Sequence, residues 1–211
     1  MGTMFHSAKG GNCTTVTAAA HAVLRATAGE PMCLVDLCGD LPAVLGIAEP
    51  EGPGVLDWLS ESCSDTVSDL LNRSVRVTDN LSVVHRGAQF VSGHPRWAAL
   101  SALVAAHRGI IVDAGTGFIP DDVHDAADQT VLVTRPCYLS LRRAVHGRHT
   151  QRVAVIDEPD RALTITDVAH VLGVRAPAKV PHSAAIGRAV DAGLLVERAP
   201  RLFADMGDLS G

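Results

Sequence analysis

Short β-branched runs alternate with longer Ala- and Leu-rich stretches along most of this chain, and that alternation restricts the fold more than any single motif does. "MFHS", "MCLVDL", "LSVVH", "GIIVDA", "TVLVT" and "RVAVID" are apolar runs of strand length. Runs that are apolar on both faces suit parallel strands covered by helices on each side. Between them, "TTVTAAAHAVLRATAG", "PRWAALSALVAAHRG" and "YLSLRRAVHG" read as helices closing on Gly29, Gly109 and Gly147, since glycine favours helix C-termini. The pattern predicts an α/β protein with a doubly wound, mostly parallel sheet flanked by helices. "LPAVLGIAEPEGPGVLDWLSES" is richer in Pro and Gly. It reads as loops and short helices over the strand ends, the edge where doubly wound folds place their sites. Further on, "TITDVAHVLGV", "APAKVP" and "SAAIGRAVDAGLL" read as helix, strand and helix, with a cap at Thr164 or Thr166.

A chain of 211 residues with 47% hydrophobic and 19% charged residues has the length and composition of one ordinary domain. We expect that domain over residues 1–203, followed by a short flexible tail over 204–211. The net charge of −5 argues against a broadly basic, nucleic-acid-coating surface. The most basic stretch, "RRAVHGRHTQR" with Arg142, Arg143, Arg148 and Arg152, reads as a solvated helix face rather than a DNA site. No run approaches the roughly 18 apolar residues that would span a bilayer, and no leader pattern precedes the first strand. A cytoplasmic location is the expectation. Cys13, Cys33, Cys38, Cys63 and Cys137 show no CxxC spacing, and the ten histidines show no HxxxH or HExxH pair, so free thiols and no histidine metal site are expected.

The stretch "FHSAKGGNCTTVTAAAHA" carries the clearest chemistry. A phosphate-binding loop works because backbone N–H groups converge on an anion at a helix N-terminus, a lysine reaches the outer phosphates and a hydroxyl ligates magnesium. Strand, glycine loop and helix follow here in that order. "KGGNCTT" resembles the deviant Walker A motif KGGxGKT of the ParA/MinD family of partitioning and positioning ATPases, which have the P-loop NTPase fold. By that resemblance Lys9 is the signature lysine that reaches across a dimer to the partner's nucleotide. Gly10, Gly11, Asn12, Cys13, Thr14 and Thr15 form the cofactor-binding loop, and Thr15 supplies the magnesium-binding hydroxyl.

The likeness extends along nearly the whole chain. "CLVDLCGDLPAVLGI" resembles the second strand and switch region, with Asp36 as the first acid of a DxD pattern, a catalytic and metal-binding position. "NLSVVHRG" resembles NLxxxPxG, and "GIIVDAGTG" resembles the strand ending in the Walker B acid, which makes Asp113 a catalytic residue. "VLVTRPCYLSLRRA" and "LTITDVAHVLGVRAPAKVPHSAAIGRAVDAGLL" resemble the strand, helix and closing segments that follow. Asp157 stands where the family often has a base-recognising asparagine; an ionised carboxylate there accepts, but does not donate, hydrogen bonds.

Three positions depart from the family pattern: Cys13 replaces a glycine, Thr14 replaces the lysine that holds the β and γ phosphates, and Cys38 replaces the second acid. Threonine offers one hydrogen bond and no charge, whereas phosphoryl transfer depends on positive groups around the transferring oxygens. The resemblance therefore implies ATP or ADP with magnesium as cofactors, with weakened binding and weak or absent hydrolysis. The expected role is spatial organisation (partitioning, division-site or compartment positioning) or its regulation, as a homodimer or as a heterodimer with an active relative. A slow magnesium-dependent ATPase and a nucleotide-independent adaptor are the alternatives. A redox or metal role for Cys13 and Cys38 has no spacing motif behind it. The C-terminal "RLFADMGDLSG" is short and acidic, unlike a basic amphipathic membrane anchor, so no membrane association is expected.

Overall fold

The apolar runs become the strands of one sheet. In chain order the elements are β1 (Thr3–His6), α1 (Thr14–Thr27), β2 (Met32–Asp36), α2 (Leu41–Leu45), α3 (Val55–Ser60), α4 (Val67–Asn72), β3 (Val75–Thr78) and β4 (Leu81–Val84). Then come α5 (Trp97–Ala106), β5 (Ile110–Gly115), α6 (Asp121–Ala126), β6 (Gln129–Thr134) and α7 (Tyr138–Ala144). The last are β7 (Arg152–Ile156), α8 (Ile165–Leu172), β8 (Ala178–Val180), α9 (Ala184–Asp191) and α10 (Leu195–Leu202). The computed structural model describes residues 2–61, 66–88, 95–148 and 150–209, and Cys63 lies outside them.

Among the described residues the eight strands are ordered β3-β4-β2-β5-β1-β6-β7-β8, and β3 alone pairs antiparallel. Neighbouring residues of the central strands face opposite layers, as the two-residue period requires. Phe5, Leu34, Ile111, Val131 and Ala154 pack into one core. Met4, Val35 and Val112 pack on the other side with Trp58, Leu100 and Leu103. Leu132, Val153 and Val155 join Leu141 of α7 and Val168 of α8. This two-sided burial is the doubly wound, mostly parallel architecture expected from the runs.

Helix α1 is enclosed rather than merely laid on the sheet. Ala18, Ala19, Ala20 and Ala22 have no exposed surface, because the sheet lies on one side and α2 and α10 on the other. Small side chains permit that close double approach. A pair of glycines holds the outer helices together at one point. A Cβ on Gly46, at the end of α2, would lie 2.1 Å from the Gly193 carbonyl oxygen in the turn between α9 and α10.

Several elements differ from expectation. The final helical stretch is two helices, broken at Gly193 (φ +67°), and α10 continues through Pro200. Helix α1 does stop just before Gly29, but α5 ends at Ala106. Gly109 instead opens β5, where a Cβ would meet the Pro31 carbonyl oxygen at 2.2 Å. Helix α7 ends at Ala144, three residues before Gly147. Thr164 is the cap of α8 and accepts from the Asp167 amide. After α10 the chain stays on the body: Gly207 donates to the Lys179 carbonyl, and Leu209 is buried in the core.

His21 of α1 faces the Phe5 ring at 5.6 Å, and its Nε2 has no hydrogen-bond partner. Burial, then the Arg25 charge, lowers its pKa from 6.5 to about 4. The unfolded chain therefore takes up a proton below about pH 6.5 that the folded chain refuses until about pH 4. Stability drains across that window, by about 3 kcal/mol at full extent. Melting temperatures at pH 7 and pH 4.5 should fall less in His21→Leu than in the unsubstituted protein. Equal falls would show that this histidine does not set the acid limb.

Candidate functional site

The loops that follow β1, β2, β5 and β6 enclose a cleft of 760 Å³ at the C-terminal edge of the sheet. The first loop is pinned at its start: the Ser7 amide donates to the Gly115 carbonyl at 2.7 Å, and the Ser7 hydroxyl donates to the Lys9 carbonyl at 2.7 Å. Gly11 has φ +79°. Cys13, at φ 60°, is the only non-glycine residue with positive φ among the described residues. A left-handed conformation at a non-glycine residue costs about 1–2 kcal/mol, so Cys13 keeps the backbone shape a glycine would adopt. Thr14, Thr15 and Val16, the first turn of α1, line the cleft. That helix has no side-chain cap and no acidic residue in its first turn, so its leading amides are left as anion donors.

Two buried carboxylates stand behind this loop. Asp36 and Asp113 are register partners on β2 and β5, and neither has exposed surface. Asp36 shapes its own turn: Oδ1 accepts from the Cys38 and Gly39 amides at 2.9 and 2.7 Å, and Oδ2 accepts from Leu41 at 2.9 Å. Burial raises its pKa against these three donors. Asp113 is less well served, since Oδ1 accepts from the Gly115 amide at 3.1 Å and Oδ2 has no hydrogen-bond partner of good geometry. Burial pushes its pKa up to about 6, opposed by the nearby Thr15 hydroxyl and reinforced by the Asp36 charge.

This arrangement of strands and helices recurs in solved structures of ParA and MinD proteins. A ParA family ATPase from Chlorobium tepidum TLS superposes with a TM-score of 0.73 at 21% identity, covering 97% of this chain and 94% of that one. The septum site-determining protein MinD from Pyrococcus horikoshii OT3, complexed with Mg-ADP, gives 0.71 at 15% identity, covering 94% and 89%. The MinC:MinD cell division protein complex of Aquifex aeolicus gives 0.70 at 16% identity, covering 100% and 98%. The chain has the ParA/MinD fold. No family model matches it, and no curated protein matches its sequence.

The loop residues Gly10 to Thr15 all border the cleft. Asn12 turns its side chain away, however: it is 1% exposed, donates to the Val133 carbonyl at 3.5 Å and accepts from the Ser140 hydroxyl at 3.0 Å. Lys9 does not line the cleft; its ammonium donates to the Gly10 carbonyl at 2.7 Å. Asp157 also lies off the cleft wall and pairs with Lys179 at 2.7 Å. Asp113 and Asp36 stand behind the cleft wall rather than on it. Thr15 lines the wall close to Asp113, whose Oδ2 has no partner of good geometry, and that pair is where the residues present would fit a magnesium ion beside a phosphate. Asp36 has its oxygens committed to backbone.

Cys38 lines the cleft, with its thiol against the Asp113 carbonyl at 3.8 Å. Burial, together with the Asp113 and Asp36 charges, pushes that thiol up to about 12, so it is neutral. Among the described residues no cluster of three or more His, Cys, Asp and Glu side chains could hold a metal, and no helix is long and apolar enough to cross a membrane. The basic run is dispersed: Arg148 pairs with Asp121, while Arg152 begins β7. Arg135, which no motif in the sequence singles out, lines the cleft from the turn after β6. Its one signal was a cation directly following an apolar strand.

The tightest approach in the site joins the loops after β2 and β5. Gly115 has φ +49°, and a Cβ there would lie 2.4 Å from Cys38 Sγ. Gly115→Ala should lower stability by about 1–2 kcal/mol from backbone conformation alone, with the sulfur collision added to that. In denaturant melts, combining it with Cys38→Ala should recover the collision part and leave the backbone part. Strictly additive losses would show that the two loops are not coupled through this contact.

Proposed function

We propose that this chain is a ParA/MinD-like protein that holds a nucleotide in the cleft, hydrolyses it weakly or not at all, and serves spatial positioning or its regulation. The reading is carried by one observation. The loop retains the cradle's backbone, down to the left-handed turn at Cys13, while position 14, where the resembling motif has its phosphate-holding lysine, is an uncharged, buried threonine. Binding through amides and a helix N-terminus survives that exchange, because those donors belong to the backbone. Transition-state stabilisation does not, because it depends on cations placed around the transferring phosphoryl group.

Magnesium, held by Thr15 and Asp113, would offset phosphate charge. Asp36 would keep the following turn in place for that site, and Lys9 would act at a dimer interface, as its counterpart does in the family this chain resembles. The positioning role rests on the fold neighbours, among them a septum site-determining protein and a cell division complex. A dimer with itself or with an active relative suits the same reading. The unpartnered oxygen of Asp113 favours a second reading, a slow magnesium-dependent ATPase.

ATP turnover and ligand-induced thermal shifts separate these readings. ADP or ATP with magnesium should raise the melting temperature, since a ligand at 100 times its Kd stabilises by about 2.7 kcal/mol. Turnover should be near background and should rise about tenfold or more in Cys13→Gly/Thr14→Lys. Substantial wild-type turnover that disappears in both Lys9→Ala and Asp113→Ala would overturn weak hydrolysis. No thermal shift with either nucleotide would leave the adaptor reading.

A further inference from the structure

The cleft wall carries two carboxylates, Asp40 and Asp191, and among its described residues one cation, Arg135. That arginine follows β6 directly, and Pro136 restricts the turn after it. Its Nη2 donates to Cys13 Sγ at 3.3 Å, across 122 residues of sequence. Its Nη1 lies 3.3 Å from Glu158 Oε1, and its Nε is buried without a partner. A thiol sulfur is a weak acceptor, so the guanidinium is only partly satisfied at the mouth of the loop. Glu158 is not dependent on it, because Arg161 also binds that carboxylate, with Nε 2.9 Å from Oε2.

We infer that Arg135 is the phosphate-binding cation of this cleft, supplying from the turn after β6 the positive charge that position 14 lacks. This rests on the nucleotide reading given above, and the ligand class is a phosphate-rich anion such as a nucleoside di- or triphosphate. A phosphate oxygen is a far better acceptor than the Cys13 thiol, and arginine presents parallel N–H groups that suit phosphate. Without Arg135 the side chains of the wall would be neutral and acidic only, leaving the backbone amides of the loop and helix start to hold such a ligand. The substituted cation also has a different origin. A P-loop lysine rides on the loop itself, whereas Arg135 arrives on a separate strand, so a bound phosphate would tie the β1 loop to the β6 turn.

Equilibrium titrations of pyrophosphate, ADP and ATP, each with magnesium, test this on the whole chain, with circular dichroism to verify folding. Arg135→Gln should weaken all three by about tenfold or more. Arg135→Lys should fall between it and the unsubstituted protein. Glu158→Gln, which releases the guanidinium from its carboxylate, should bind at least as tightly as the unsubstituted protein. If the unsubstituted protein binds none of the three probes, the nucleotide reading itself falls, and the assignment with it. If it binds and Arg135→Gln binds within twofold of it, the assignment falls while the reading stands. Should Arg135→Gln not fold, Glu158→Gln decides: a tenfold loss there would show that the ion pair, not a free cation, maintains the cleft.

Discussion

The burial of α1 on both of its long faces is the constraint on which the cleft depends. With the sheet beneath it and α2 and α10 above, the helix is packed on both sides, and its first turn sits at the C-terminal edge of β1. The uncapped amides of that turn are therefore preorganised, which is what allows a backbone cradle to bind without a charged side chain of its own. The alanines of α1 are as much part of the site as the glycines of the loop, because bulkier residues would push the layers apart.

The two strand-end acids show how one sheet edge divides its work. Asp36 accepts three backbone N–H groups and so shapes the turn into α2. Asp113 keeps an unpartnered oxygen and a pKa raised to about 6, the state of a carboxylate short of a cation. Identical side chains on register-paired residues thus differ in role because the turn after β2 aims three amides at Asp36, whereas the turn after β5 aims one at Asp113.

Much of this was legible in the sequence, for physical reasons that also explain the omissions. Runs such as "GIIVDA" read correctly because strands buried on both faces tolerate few polar residues. The short edge strand β3 escaped notice because Val75 and Arg76 are exposed, which leaves no apolar run. Pro200 hid α10, since proline ordinarily argues against a helix interior. At the site, the loop and both acids stood out because each follows or ends a strand. The left-handed turn at Cys13 did not, since conformation is not written in residue type. Arg135 meets Cys13 only after the sheet has placed β6 beside β1.

The inward turn of Asn12 has a mechanical consequence. Its amide bridges the Val133 carbonyl and the Ser140 hydroxyl, stitching the β1 loop to β6 and to the first helical turns of α7. Tyr138 and Leu139, at the start of that helix, face solvent. The loop and the head of α7 are therefore tied to each other by one side chain, so the lip of the cleft and the exposed surface at Tyr138 and Leu139 share a single buried amide as their brace.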